Sequence, residues 1–296
     1  MGRKIDELSI RILVDGKVSA WDLMGDAGFS ALIDVYYDDQ SSTRLLFDTG
    51  EGTPALAYNI EQMEIDLSTV DMIILSHGHW DHIGGLMEMI AKIGRKTPIL
   101  LHPYALNPKI FTDDKGKEHH LGIKNVFSTD ELNEAAKLIY TTEPFAIGDG
   151  IWTTGEVPRT NDFEKLTGIL TKVHTIRDGE KIPDLIEDDL SLIFQLKDDS
   201  VIILAGCCHS GIVNTLNHAI SITDSSNIIG LVGGLHLHDA SKERLEKTVD
   251  HLKQYNLTTL SPCHCTGLRG QAAVMYAFGD VFKEVGVGSL LKFKTQ

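Results

Sequence analysis

The sequence predicts a layered α/β fold, on three observations. Short runs rich in Ile, Val, Leu and aromatic residues alternate with segments whose apolar residues recur at helical spacing, as strands and helices sharing a core do. Over 296 residues, 42% are hydrophobic and 23% charged, ordinary values for a globular chain, and one of this length can bury roughly 75% of its unfolded surface. Four of the strand patterns run straight into segments that hold histidine, and in α/β sheets ligands bind at the ends of strands.

Taken in order, residues 8–14, 29–37 and 43–47 read as strands separated by Gly- and Asp-containing turns, an opening antiparallel sheet. Phe47-Asp48-Thr49-Gly50 closes the third strand and leads into a helical pattern over 53–63, with Pro54 in its first turn. The apolar run 70–75 reads as a buried strand, 86–93 as a helix starting near Gly84-Gly85, and 98–101 as a strand. Two less regular stretches follow. The first, 103–142, contains a polar turn from Asp113 to His120 expected to be solvated; the second, 157–189, holds Arg159, Lys165, Lys172, His174 and Arg177 among acidic residues. Long irregular segments in a domain are usually lids or binding segments, so both are expected at the mouth of a site. The last third predicts strands over 190–196, 201–205, 227–232 and 257–261, with amphipathic helices over 211–222 and 242–255. With no internal repeat, Pro-rich linker or low-complexity tract, residues 1–296 read as a single domain.

Charge and composition narrow the function. A formal net charge of -15 repels a polyanion over most of the surface, which argues against nucleic acid as a partner. No apolar run reaches the ~18 residues of a membrane helix, Met1 to Ile10 has no apolar signal segment, and Asp6 stands where a myristoylation site needs Ser or Thr. The expectation is a soluble cytoplasmic protein without a membrane partner. The cysteines fall in two clusters, Cys207-Cys208 and Cys263-His264-Cys265, unlike the scattered framework of a secreted disulfide scaffold, and a reducing compartment fits better.

The chemistry gathers in Ser76-His77-Gly78-His79-Trp80-Asp81-His82-Ile83-Gly84-Gly85. Imidazoles suit zinc, iron and manganese, and a carboxylate adds affinity for harder cations, so the segment reads as a transition-metal site able to hold two ions. In an extended segment His77 and His79 point to the same side, with Gly78 allowing a tight turn between them, and they can share one ion. Asp81 and His82 fall where the chain bends towards a helix and are free to bind a second. A histidine-rich surface loop could collect metal adventitiously, but this one lies between a buried strand pattern and a helix, the context of a built site.

His77-Gly78-His79-Trp80-Asp81-His82 resembles the His-x-His-x-Asp-His signature of the metallo-β-lactamase fold superfamily. The resemblance implies a four-layer αββα sandwich with a mono- or dinuclear metal site at its edge. Pro262-Cys263-His264 is similar to the Pro-Gly-His segment that supplies the superfamily's last ligand, which implies that His264 joins Asp81 and His82 on the second ion. The superfamily's usual third histidine for the first ion would fall near Thr154-Gly155-Glu156-Val157-Pro158-Arg159, where there is none; His209 stands in for it, with Glu156 in reserve. The usual bridging aspartate is replaced in Gly206-Cys207. Either Cys207 bridges the ions or the bridge is absent and Cys207 packs as a small apolar residue. A separate zinc site built from all four cysteines is the weaker reading, because both clusters flank the histidines. Asp48 resembles the superfamily's Asp-Thr-Gly turn, and is either a partner that orients a ligand histidine or part of a helix-capping turn.

These motifs, together with Gly206-Cys207-Cys208-His209-Ser210-Gly211, Gly233-Gly234-Leu235-His236-Leu237 and Pro262-Cys263-His264-Cys265-Thr266-Gly267, resemble one branch of the superfamily, which includes the dihydropterin ribofuranosylaminobenzene 5′-phosphate synthases of methanopterin biosynthesis. The resemblance runs from Asp48 to Gly267. It implies a metal-dependent enzyme acting on a small phosphorylated, pterin-like or other heteroaromatic substrate, displacing diphosphate with an aryl amine. The alternatives are a metallohydrolase of small phosphodiesters or lactones and a non-catalytic metal- or pterin-binding protein. One or two divalent ions are expected, zinc first, with manganese, iron or magnesium as alternatives. Asp81 is expected to act in catalysis as well as in binding metal, Arg159 to clamp a phosphate, and His236 to contact substrate and move a proton near neutral pH.

Overall fold

The computed structural model describes residues 2–123 and 127–295. In chain order, strands β1 (Ile5–Val14), β2 (Ser30–Tyr37) and β3 (Ser42–Phe47) lead to helix α1 (Pro54–Gln62), capped by the Thr53 hydroxyl, and to β4 (Met72–Ile74). The one-turn helix α2 (Trp80–Ile83), α3 (Leu86–Ile93) and β5 (Pro98–Leu101) follow. Next come β6 (Lys109–Thr112), β7 (Glu118–His120), α4 (Thr129–Ala135), β8 (Lys137–Tyr140), β9 (Phe145–Gly148) and β10 (Ile151–Thr153). After these lie β11 (Val173–Arg177), β12 (Glu180–Pro183), β13 (Ser191–Gln195), β14 (Val201–Ala205), α5 (Ile212–Thr223) and β15 (Ile228–Gly234). The chain closes with α6 (Lys242–Leu252), β16 (Thr259–Cys263), α7 (Gly267–Phe278) and β17 (Leu290–Lys294).

Two large sheets stack with helices outside both, the αββα arrangement. One sheet runs β17-β1-β2-β3-β4-β5-β8 and the other β16-β15-β14-β13-β10-β9. The cause is visible in the strands, where neighbours alternate faces. Leu45 and Phe47 point between the sheets and pack with Phe194, Ile202 and Leu204 of the second sheet. Leu46 points the other way, onto Leu56 and Ile60 of α1 and Leu86 and Met89 of α3. In β14, Ile203 and Ala205 face Ile212 and Leu216 of α5. Strands covered on both faces need apolar residues at every position, which is why Val201–Ala205 has no polar residue at all.

The stretches expected to be irregular hold regular structure. β6 and β7 from the first pair with β11 and β12 from the second into a separate four-stranded sheet, order β12-β11-β6-β7, over a small core of Leu170, Val173 and Ile186. Its strands were hidden because charged and histidine residues occupy most exposed positions, as in Glu118–His120. The turn after Asp113 is the loop of the β6–β7 hairpin, though His119 and His120 are partly covered rather than fully solvated. β8 completes the edge of the first sheet. Residues 124–126 of the first stretch, and Met1, lie outside the described residues. The helix expected over 86–93 from Gly84-Gly85 is α3, entered from Gly85, and a separate one-turn helix, α2, precedes it, so Asp81 and His82 sit on a helical turn. Among the described residues no helix is long and apolar enough to cross a membrane.

Candidate metal centre

The centre lies where strands of both sheets end on the same side. β3 and β4 run parallel, as do β14, β15 and β16, so their C-terminal ends are neighbours. Four of those ends carry a non-glycine residue in the left-handed region: Asp48 at φ 58°, Cys208 at 61°, His236 at 45° and His264 at 48°. Such residues cost about 1–3 kcal/mol each and persist where surrounding structure over-determines them, commonly at functional sites. Here each reversal redirects the chain just past a strand. Cys207 and His209 thereby face inwards, while Cys208 between them packs against α5, 3.2 Å from the Thr215 hydroxyl.

Two groups of ligand atoms result. His77 Nε2 lies 2.8 Å from His79 Nδ1 and 3.2 Å from His209 Nε2. A shared proton satisfies one such pair at a time, whereas a cation satisfies all three nitrogens. Burial, then the neighbouring imidazoles, push His77 and His209 well below the usual imidazole range, and burial brings His79 to about 4. All three rings are therefore neutral, the form that binds metal. His79 Nε2 and His209 Nδ1 are buried without partners.

The second group is Asp81, His82 and His264. Asp81 Oδ2 is 3.7 Å from both His82 Nε2 and His264 Nε2, and those two nitrogens are 3.1 Å apart. Burial opposes charge on His82, but Asp81 and Asp48 outweigh it and lift the ring to about 9. Asp48 Oδ2 sits 2.7 Å from His82 Nδ1 and also accepts from the Ser76 hydroxyl at 2.7 Å, which fixes the orientation of His82. Cys207 lies between the groups, its sulfur 3.2 Å from His82 Nε2 and close to His77, His209 and His264. The donors fit one or two divalent ions: six imidazole or carboxylate ligands in two triplets, with a sulfur between them.

The loop carrying the first ligands has little freedom. A Cβ on Gly78 would lie 1.8 Å from the Ala105 carbonyl oxygen, so glycine is required there for close approach rather than for a special backbone angle. The Gly78 N–H donates to Asp188 Oδ2 at 2.7 Å, and Asp188 in turn binds Lys109 Nζ at 2.9 Å. Asp189, next in sequence, accepts from the Ser210 N–H at 2.9 Å and so braces the His209 turn; burial raises it to about 6.

A cavity of about 390 Å³ opens beside the ligands. Its apolar wall includes Ala27, Trp80, Leu121, Ile169 and Leu170, and its other side carries His236 and Cys265. Leu121 comes from the first irregular stretch, and Ile169 and Leu170 come from the second.

Two expected residues lie elsewhere. Glu156 hydrogen-bonds His102 at 3.0 Å with its side chain 46% exposed, and does not line the cavity; of the two candidates for the first ion's third ligand it is His209, past the end of β14, whose Nε2 comes within 3.2 Å of His77 Nε2. Arg159 donates to the Leu185 carbonyl at 2.7 Å and also lies outside the cavity lining. His236 does line the cavity, its ring centroid 4.4 Å from that of His209. Sequence reasoning missed the parts of Trp80, Asp188 and Asp189, and considered Cys265 only within a separate site of four cysteines. For Cys265 a signal existed, since it lies one residue past an expected ligand.

Residues 25–175 match the family model described as the Metallo-beta-lactamase superfamily. The chain is 30% identical over 270 residues to the 7,8-dihydropterin-6-methyl-4-(beta-D-ribofuranosyl)-aminobenzene-5'-phosphate synthase of Methanocaldococcus jannaschii, covering 90% of each chain. It is 31% identical over 288 residues to an uncharacterized protein of the same organism, covering 94% of this chain and 100% of that one. A crystal structure described as a metal-dependent hydrolase of the beta-lactamase superfamily superposes with a TM-score of 0.78 at 26% identity, over 97% of this chain and 100% of the other.

Proposed function

We propose that this chain, an enzyme that belongs to the metallo-beta-lactamase superfamily, is a zinc-dependent transferase that displaces diphosphate from a hydroxymethyl-dihydropterin diphosphate with an aryl amine. The observation that carries the reading is the pair of ligand triplets, His77/His79/His209 and Asp81/His82/His264, opening on one apolar-walled cavity. The name of the relative that shares 90% of the chain supports the pterin substrate. The donor set, imidazole with sulfur and a single carboxylate, favours zinc over magnesium. We read the chain as one domain whose inserted sheet forms the mouth of the cavity.

In this reading the amine nitrogen forms a bond to the pterin methylene carbon as the carbon–oxygen bond to diphosphate breaks, and the nitrogen loses a proton. Bound divalent ions would supply the positive charge that neutralises the leaving diphosphate. The protein's own residues do the rest. Trp80 offers a flat apolar surface to a heteroaromatic ring, while Leu121, Ile169 and Leu170 exclude water. We assign acceptance of the amine proton to His236, which lines the cavity. Among the described residues lining the cavity there is no Lys or Arg, so an anionic leaving group depends on the metal and the histidines for its countercharge.

The test is to incubate zinc-loaded protein with a hydroxymethyl-dihydropterin diphosphate and an aryl amine, following diphosphate release and product mass. Diphosphate release with a coupled pterin–amine product supports the transferase. The solved structure described as a metal-dependent hydrolase favours a second reading, in which water replaces the amine. Turnover of bis-p-nitrophenyl phosphate without any amine coupling would select that one.

A further inference from the structure

We propose that Cys265 is a metal ligand, and that with Cys207 it gives the second ion a sulfur face. The inference rests on the metal-dependent reading above and extends the ligand set beyond the two triplets.

The ligand atoms of Cys207, His264 and Cys265 all lie within 4.8 Å of one another, a further convergence that shares His264 with the second triplet. The fold makes room for it. A Cβ on Gly234 would sit 2.3 Å from the Gly206 carbonyl oxygen, 2.6 Å from the Cys265 sulfur and 3.2 Å from Cys207 Cα, so the volume a side chain would fill at the end of β15 is taken by the Gly206–Cys207 backbone together with this sulfur. The left-handed turn at His264, whose N–H donates to Asp15 Oδ2 at 2.8 Å, sorts the Cys-His-Cys segment. Cys263 is directed into the core between the sheets, while His264 and Cys265 line the cavity. The same sorting occurs at the end of β14, where Cys208 goes to the core and Cys207 to the cavity. Each pair of cysteines thus sends one thiol to the ligands, and the four thiols form no disulfide.

Charge supplies the reason for using sulfur. Two divalent ions bring four positive charges, and in the two triplets and the Cys207/His264/Cys265 group Asp81 is the carboxylate available to meet them. Imidazoles are neutral ligands. Thiolates at Cys207 and Cys265 add two negative charges where a bridging carboxylate is missing, and zinc or iron(II) accepts them whereas magnesium gains little.

Cobalt(II) reports sulfur ligation directly, since thiolate-to-cobalt charge transfer gives a near-ultraviolet band that nitrogen and oxygen ligands do not. Metal-free protein is titrated with cobalt(II) as wild type, Cys207→Ser, Cys265→Ser, the double variant, and Cys208→Ser and Cys263→Ser as references. Wild type is expected to show the band, each single cavity variant to lose about half of its intensity, the double variant to lose all of it, and the two core variants to keep it. Full intensity in Cys265→Ser overturns the proposal. A wild type that binds cobalt with visible ligand-field bands but no charge-transfer band overturns this inference alone. A wild type that binds no cobalt overturns the metal reading with it. If Cys265→Ser does not fold, alkylation of the wild type by iodoacetamide decides: zinc should slow labelling of Cys265 several-fold, and equal labelling with and without zinc overturns the proposal.

Discussion

The backbone N–H of Gly78 donates to Asp188 Oδ2 at 2.7 Å, tying the loop between the first two ligand histidines to a carboxylate 110 residues further on. Burial would raise the pKa of Asp188, but Lys109 and the Gly78 N–H outweigh it and keep the group ionised. Lys109 itself is almost wholly buried, bonded to Asp184 at 3.1 Å and Asp188 at 2.9 Å. The inserted sheet therefore grips the ligand loop through one buried cation.

Lys109→Met should break that grip by leaving two buried carboxylates without their cation. The expected loss is ~3–5 kcal/mol of stability, read from urea unfolding of chelator-treated protein. A loss below about 1 kcal/mol, the scale of a surface ion pair, would mean that the triad is solvated.

Asp48 meets the candidate second ion's ligands through His82, whose Nδ1 it holds at 2.7 Å. Asp48→Ala should weaken binding of one ion by ~10–100-fold while leaving the other in place. His82→Ala and His264→Ala should each lower metal content towards one ion per chain. Metal analysis after dialysis against a buffered zinc concentration separates these outcomes. Two tightly held ions in all three variants would reject the second triplet.

Trp80 stands between two candidate ligands in sequence and lines the cavity, yet the residue is 36% exposed. A core residue of that size would be covered. Trp80→Ala should raise KM for a heteroaromatic substrate by roughly tenfold, about the worth of one aromatic pair, with a much smaller change in kcat. A fall in kcat at constant KM would point instead to displacement of Asp81 and His82 on the same helical turn.

Glu51 gives stability a pH dependence of its own. A hydrogen bond with Asp26, then burial and nearby negative charge, raise it from 4.5 to about 7. The folded chain thus holds a proton that the unfolded chain releases, and stability falls as pH rises from about 4.5 to about 7. In metal-free protein the stability of wild type relative to Glu51→Gln should decline across that window and level off above it. Denaturation series at several pH values measure this. A difference independent of pH would show that Glu51 and Asp26 do not share a proton.

What the sequence determined by itself is what depends on neighbours along the chain. Layered α/β structure was legible because residues such as Leu45, Leu46 and Phe47, or Val201 to Ala205, declare by their apolar character that both sheet faces are covered, while the αββα order was implied by the family resemblance of the His77 to His82 run. The ligand run from His77 to His82 was legible because its donors lie within one loop and one helical turn. Tertiary structure decided the remainder. His209 meets His77 across 132 residues only because β14 ends beside β4's side of the sandwich, and Glu156, expected in reserve, was drawn to His102 by the path of its own loop. The inserted sheet arises from pairing β6 with β11, two short strands whose charged exposed faces conceal their period. Cys265 turns to the cavity, and Cys263 away from it, because of a left-handed residue held by Asp15 from the far end of the chain. Local periodicity specifies which face of an element is apolar. Which strand ends become neighbours is set by sheet pairing over long separations, and that pairing chose the third imidazole and brought the two cavity sulfurs together.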